Sequence, residues 1–281
     1  MIIFQWLARL FALCVVVFFA TFLARAAEKS GDELLTQAGV SFAKGQREDA
    51  IELATKAIEA EPKNAKAYYV RGRFYAEVRQ PQKAVKDLNQ ALALDPAAAL
   101  AYYHRGEENF KLGRVKESAA DFDKFVGLSP DQAPKLWQRG LSLYYAGRYE
   151  DGQRQFEMHQ TINSNDVENA VWHFLCVARL SGLAKARASL LPITNDSRVP
   201  MMQIYALFAG KAKPDDVLAA AKAGTPTAAQ LRRQLFYANL YLGLYYEALG
   251  NGKLARKVPP ANATLWGPIG MPSVGLAKSR N

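Results

Sequence analysis

The fold is decided by a five-residue pattern that occurs three times at a constant interval: Tyr68-Tyr69-Val70-Arg71-Gly72, Tyr102-Tyr103-His104-Arg105-Gly106 and Leu136-Trp137-Gln138-Arg139-Gly140. We call this spacing of thirty-four positions the repeat interval. Three prolines keep the same interval: Pro62, Pro96 and Pro130. Since the motif and the proline recur in phase, we infer that a supersecondary unit has been copied. Arrays of such units build surfaces that hold other molecules.

Each unit has the apolar spacing of two amphipathic helices, A and B, joined by a tight turn. In the second unit we expect helix A from about Ala67 to Val78 and helix B from about Gln82 to Ala93. The repeated glycine lies inside helix A, where it costs about 1 kcal/mol relative to alanine. We expect close contact with helix B to offset this cost. Small residues recur at the facing place: Ala50, Ala84, Ser118 and Gly152.

Two units carry an arginine before this glycine and an aspartate sixteen residues later. The spacing predicts ion pairs from helix A to helix B, Arg71 with Asp87 and Arg105 with Asp121. Gln155 stands at the corresponding place opposite Arg139. We assign these pairs to structure.

The pattern of spaced glycines, alanines, aromatics and prolines resembles the tetratricopeptide repeat. Four units match it over 31–164, beginning near Gly31, Ala65, Ala99 and Ala133. The resemblance implies an all-α fold: an α-solenoid of helical hairpins forming a right-handed superhelix, with a concave groove lined by helix A. Groove-binding members of the family hold protein or peptide partners.

Phasing the units assigns a set of residues to this groove. They are Lys66, Tyr69, Arg73, Leu100, Tyr103, Glu107, Phe110, Trp137, Leu141 and Tyr145. Tyr69, Tyr103 and Trp137 form an aromatic ladder suited to peptide capture. The alternative is that these rings only pack between neighbouring A helices. Repeat domains that clamp a chaperone carboxylate have Lys and Asn where this chain has Tyr69, Arg73, Tyr103 and Glu107, so we expect recognition through apolar and aromatic contact.

Beyond Ser164 the chain is predicted to remain helical without strict phase, as degenerate hairpins over 165–258. Apolar periodicity marks helices at 167–180, 183–191, 200–209, 214–223 and 225–249. A partial repeat follows and ends at Val258, before Pro259-Pro260 and an irregular tail at 259–281. We expect this unfinished repeat to leave Tyr241, Leu244 and Tyr245 uncovered and to support a homodimer. The tail is interpreted as a linker or a frameshift product.

The segment Phe236 to Tyr246, after a Trp-containing helix and a Leu-rich hairpin, resembles the NlpI group of exported bacterial tetratricopeptide-repeat proteins. Members of that group are adaptors that bring cell-wall hydrolases and a protease together. The lipidation cysteine of the group has no counterpart, because Cys14 lies inside an apolar run.

Residues 1–26 are typical of a secretory signal. An apolar run from Leu10 to Leu23 follows Arg9, and Ala24-Arg25-Ala26 supplies small residues for cleavage after Ala26. The alternative is an uncleaved membrane anchor. Both interpretations predict an exported protein of the periplasm or cell envelope.

The formal net charge of +10 is unevenly distributed. Lysine and arginine balance aspartate and glutamate at 20 each in 27–164, whereas 165–281 holds 14 basic and 6 acidic residues. A basic half can attract an anionic membrane or an acidic partner, or serve only as a solvated surface. No aromatic and basic residues interleave there, which argues against nucleic acid.

The sequence shows no arrangement of residues that performs catalysis. The three histidines have no metal-binding spacing, and no phosphate-binding loop or GxSxG motif occurs. We therefore predict neither an enzyme nor a metal or cofactor site. After cleavage Cys176 is the one cysteine left, so we expect a core thiol and no internal disulfide. The leading hypothesis is an exported scaffold; the alternative is a structural subunit acting through its convex or basic C-terminal surface.

Overall fold

The computed structural model describes residues 30–258, which contain helices and no strand. Four helical hairpins form the regular array (31–164). Its helices are α1 (Gly31–Ala43), α2 (Arg47–Ala60), α3 (Ala65–Glu77), α4 (Pro81–Leu94), α5 (Ala99–Lys111), α6 (Val115–Leu128), α7 (Trp137–Tyr145) and α8 (Tyr149–Gln160). The odd-numbered helices of the array are A helices and the even-numbered ones are B helices. Each packs on its neighbours along the chain, so the fold is the predicted all-α solenoid.

The distal segment (165–258) adds five helices. They are α9 (Val167–Ala188), α10 (Met201–Phe208), α11 (Pro214–Lys222), α12 (Ala228–Ala248) and α13 (Gly252–Lys257). Gly182 interrupts α9 with a φ of 81°, a left-handed conformation that favours glycine. This break lies between the two helices predicted at 167–180 and 183–191. Thr225-Pro226 does not start α12; Thr227 caps it, because its side chain accepts from the Gln230 backbone N–H.

The fourth unit begins later than its predicted start near Ala133. Residues Pro130–Lys135 form a 3₁₀ turn, and α7 starts only at Trp137. Pro134 stands one repeat interval after Leu100, inside what would be the first turn of the helix. Its ring disfavours α-helical backbone at the preceding residue and removes an N–H donor, so the helix is shortened.

The glycines of helix A permit close packing against helix B, as expected. A Cβ on Gly140 would lie 2.5 Å from Cζ of Phe156, and one on Gly106 would lie 3.3 Å from the Phe122 ring. The first unit has Ala38 at the position in phase with these glycines, and this alanine is fully buried. Glycine at the facing position is therefore confined to the last three units of the array.

The predicted ion pairs are present and belong to a longer series of contacts made by Arg71, Arg105 and Arg139, which we call the arginine ladder. Arg71 Nε donates to Asp87 at 2.7 Å and Arg105 Nη2 to Asp121 at 2.6 Å. Each arginine also reaches the residue sixteen places before it, in the preceding B helix: Thr55 for Arg71, Asn89 for Arg105 and Asp123 for Arg139. The ladder thus joins neighbouring units as well as the two helices of one unit.

The ladder continues beyond the regular array. Gln155 accepts from Arg139 at 2.8 Å, while the charged partner of that arginine is Asp123, at 2.7 Å. His173 stands one repeat interval after Arg139, and its Nε2 lies 3.2 Å from Glu157, sixteen residues before it. The phase of the repeat therefore persists into α9, one helix further than expected.

We expected Tyr241, Leu244 and Tyr245 to be uncovered at the distal end, and this expectation is wrong for Tyr241 and Leu244. Tyr241 and Leu244 are buried, and Tyr245 is partly buried. The cause is that α12 packs back against α9, α10 and α11. The Tyr241 hydroxyl also donates to Glu168 Oε2 at 2.8 Å. The observation that motivated a homodimer is thereby removed.

The signal or anchor at 1–26 and the tail at 259–281 lie outside the described residues. Among the helices within 30–258, none has the length and apolarity needed to cross a membrane. Cys176 is a buried core thiol, as expected, and burial raises its pKa.

Candidate functional site

The A helices of successive units are joined by a row of polar contacts. In chain order these are Lys66 Nζ to Asp32 Oδ1 (2.8 Å), Arg73 Nη1 to His104 Nε2 (2.6 Å) and Gln138 Nε2 to the Tyr103 hydroxyl (3.1 Å). We call the surface that carries these residues the A-helix face. It runs over α1, α3, α5 and α7 and contains most of the predicted groove residues.

His104 is the centre of this row. Arg73 can only donate, so Nε2 of His104 accepts and the ring proton is on Nδ1. That proton is donated to Glu107 Oε2 at 3.1 Å. The neutral ring is therefore held between a cation and an anion. Burial is the largest cause that lowers the pKa of His104, and Arg73 acts in the same direction, against Glu107.

The aromatic ladder does not form by direct ring contact. Tyr69 contacts the His104 ring, with centroids 5.9 Å apart. Tyr103 turns into its own unit, against Phe122 at 5.8 Å and Phe125 at 5.3 Å. Burial raises the pKa of the Tyr103 phenol well above its usual range, and the Glu107 carboxylate adds to the effect. These rings are half-buried parts of the face.

Two predicted groove residues are corrected because they are core residues. Phe110 is 2% exposed and Leu141 is 1% exposed. Phe110 lies at the end of α5, where the next A helix covers it, and its ring meets Tyr145 with centroids 6.1 Å apart. Tyr145 is itself partly buried against Trp172, at 5.8 Å. None of the three projects freely from the face.

The remaining predicted residues lie at the surface to different degrees. The Lys66 side chain is 65% exposed and Leu100 is 56% exposed. Arg73, Glu107 and Trp137 are intermediate. Trp137 is the first residue of α7 and packs beside the distal core. The A-helix face thus has exposed side chains, Lys66 and Leu100, beside the hydrogen-bonded centre at His104.

Two residues of the face are not evident from the sequence as site residues. The sequence indicates His104 only as a surface neighbour of Tyr103, although its spacing of three from Glu107 permits contact on one helix face. Gln138 gives no signal, because its partner Tyr103 is in the preceding unit.

The polar side chains of the A-helix face are paired with one another. No group of three or more histidine, cysteine, aspartate or glutamate side chains is placed to hold a metal within 30–258. Its hydrogen bonds link donors and acceptors of neighbouring units, and its carboxylates are paired with Lys66, Arg73 or His104.

Two family models, both described as a tetratricopeptide repeat, match residues 53–86 and 75–133. The chain contains tetratricopeptide repeats. The matched residues extend from the first hairpin to the start of the fourth. A search of curated proteins finds no match.

Solved structures show the same fold. The MamA protein superimposes with a TM-score of 0.52 at 17% identity, over 70% of this chain and 97% of that chain. The fragment from residue 41 to the end of MamA from Desulfovibrio magneticus RS-1 gives a TM-score of 0.51 at 17% identity, over 57% and 91%. At such identities the likeness concerns the fold alone.

Proposed function

We propose that the chain is an exported, non-catalytic scaffold whose A-helix face holds an extended segment of a protein partner. The observation that carries this proposal is the row of contacts from Lys66 through His104 to Gln138. The row fixes half-buried aromatic and charged side chains before any partner arrives. Preorganisation of this kind lowers the entropic cost of binding.

Further support comes from exposed residues beside the fixed centre. Lys66 and Leu100 present a cation and an apolar side chain one unit apart. A segment lying along the A helices would meet both. We further propose cell-envelope enzymes as the partners, in line with the resemblance to the NlpI group, and export through residues 1–26.

Site-specific photocrosslinking tests the proposal. A photoreactive amino acid at Lys66 or Leu100 should join the chain to a protein partner in the envelope fraction of the exporting cell. The matched controls carry it at Lys86 or Lys124, which are exposed on the B helices α4 and α6. Adducts from the B-helix positions alone would contradict binding along the A-helix face. They would favour the alternative, a structural subunit that acts through its convex surface.

Export is tested separately by the N-terminal sequence of the protein recovered from the envelope. Cleavage predicts a chain that begins at Ala27. An intact N-terminus in the membrane fraction supports the anchor, and recovery of the chain in the cytosol alone contradicts export.

A further inference from the structure

A pocket of about 280 Å³ lies where α7, α8, the start of α9 and the loop before α10 meet. Trp137 and Trp172 contribute to its walls. Its polar lining includes Asp166, Glu168, Asn169 and Arg198. Trp137 belongs also to the predicted groove. The pocket therefore adjoins the C-terminal end of the A-helix face.

Asn169 lines this pocket and has a buried side-chain oxygen without a donor. The residue is 3% exposed, and its Oδ1 accepts no hydrogen bond from the described residues. Its amide orientation is determined by its partners, because Nδ2 donates to the Phe156 carbonyl and to Gln160 Oε1, both at 3.0 Å. This oxygen is closed to solvent, so it acts on the pocket through the negative end of its unpaired carbonyl dipole, which attracts positive charge.

The charged groups around Asn169 leave an excess of negative charge. Arg198 pairs with three carboxylates, those of Asp166, Glu168 and Asp196. One guanidinium thus serves three acids, although burial raises the pKa of Glu168 and weakens its share of the negative charge. The Tyr241 hydroxyl donates to Glu168 but adds no charge. A cation entering the pocket would be attracted by this excess.

The two tryptophans favour the same kind of ligand. The Trp172 ring is packed edge-on against Tyr144, with centroids 5.3 Å apart, and is thereby held in place. Trp137 is partly exposed and lines the pocket. Indole faces attract ammonium and guanidinium groups, most strongly where water is excluded.

We propose that this pocket receives a cationic side chain, lysine or arginine, from a partner segment that lies along the A-helix face. The proposal rests on the proposed function for the source of that side chain. The ligand cation would lie against the partly exposed Trp137 indole and balance the carboxylates beside Arg198.

The test uses the full-length chain in mild detergent and four short peptides. Each is acetyl-Gly-X-Gly-amide, in which X is arginine, lysine, norleucine or glutamate. Binding is followed by NMR of ¹⁵N-labelled indole groups, and the Trp137→Phe and Trp172→Phe variants assign those two of the four tryptophan signals. Arginine and lysine peptides should shift both signals in a saturable way, with norleucine about 10-fold weaker.

A charge variant with a matched control tests the site itself. Asp166→Asn removes one carboxylate and keeps the helix cap that Asp166 makes to the Glu168 N–H. It should weaken arginine-peptide binding about 3-fold or more. Asp151→Asn also removes a carboxylate that pairs with arginines, but Asp151 does not line the pocket, so binding should be unchanged. Thermal melting of both variants verifies the fold.

Three outcomes would overturn the proposal. Equal shifts from norleucine would make the pocket an apolar site, and stronger shifts from glutamate would make Arg198 an anion site. The absence of any shift would mean that no cation enters. Each outcome is independent of the crosslinking experiment, because the peptides probe the pocket without a natural partner.

Discussion

The regular array and the distal segment bury their side chains in different ways. The core at the start of the array is rich in alanine, with Ala38, Ala50, Ala54, Ala57 and Ala67 beside a few larger residues such as Leu34 and Phe74. The core of the distal segment is richer in aromatic residues, including Trp172, Phe174, Phe208 and Tyr241, and it is continuous with Phe110 and Phe156 of the last array units. Array contacts join neighbouring units, whereas Tyr241 and Glu168 meet across 73 residues of chain. The array thus approaches a one-dimensional stack, and the distal segment forms a common core that closes it.

This difference predicts which helices lose hydrogen-exchange protection when a buried side chain is removed. Phe174→Ala, at a fully buried site, should lower the free energy of unfolding by about 3 to 5 kcal/mol. Hydrogen exchange should then rise together in α9, α10 and α12, while α1 to α4 keep their protection. The matched variant Phe74→Ala, in the array, should open mainly α1 and α3, because Phe74 stacks on Phe42. Uniform loss of protection after either change would contradict two distinct regions.

The arginine ladder should rank next in effect. Asp121→Asn leaves Arg105 without its buried charge partner and disturbs the bond from Asn109 Nδ2 at 3.0 Å. We expect a loss of about 1 to 3 kcal/mol in chemical denaturation. Asp32→Asn is the control, because its pair with Lys66 is largely exposed and should contribute about 0.5 kcal/mol. Equal losses of stability in the two variants would show that burial of the Arg105–Asp121 pair adds nothing to its contribution.

Much of the array could be predicted from the sequence, because its contacts follow one interval. The approach of Gly140 to Phe156 and the Arg71 and Arg105 pairs depend on positions that recur at each repeat interval. The charged partner of Arg139 is not predictable in this way, because Asp123 belongs to the preceding unit. A motif that describes one unit does not contain its contacts with another.

The site was less predictable for the same reason. Phe110 and Leu141 have the spacing of groove residues, but their burial depends on the following helix. His104 acquires its role from Arg73, one unit earlier. The cover over Tyr241 comes from Glu168 and α9, far away in sequence, and no local periodicity reports it.

Glycine substitutions test whether the close approach of helix A to helix B requires glycine at the facing position. Gly140→Ala should cost about 1 to 3 kcal/mol, because its Cβ would lie within 2.5 Å of Phe156. Gly39→Ala is the control, because Gly39 is an exposed helical glycine one residue out of phase with the facing position. It should stabilise by about 0.5 to 1 kcal/mol, since a Cβ there meets nothing within 4 Å and alanine favours the helix. Thermal denaturation would distinguish the two signs. Stabilisation by both would show that the contact between residue 140 and Phe156 tolerates a Cβ.

The smallest effect should be a pH dependence centred on the A-helix face. The pKa of His104 is lowered in the folded chain from its usual 6.5, so below that value the unfolded chain binds the proton more readily. Stability from this residue is therefore complete above pH 6.5 and is lost as the pH falls. The wild-type advantage over His104→Gln should decline by up to about 1.4 kcal/mol per pH unit, because one pKa unit corresponds to that energy.

A second variant identifies the cause of that decline. Arg73→Gln removes the cation 2.6 Å from His104 Nε2 and leaves Glu107 to favour the protonated ring. In the Arg73→Gln background the effect of adding His104→Gln should therefore change less between pH 6.5 and 5 than it does in the wild-type background. An unchanged decline would assign the lowered pKa to burial alone. A flat difference in both backgrounds would mean that His104 is not held neutral, and the polar row would lose its centre.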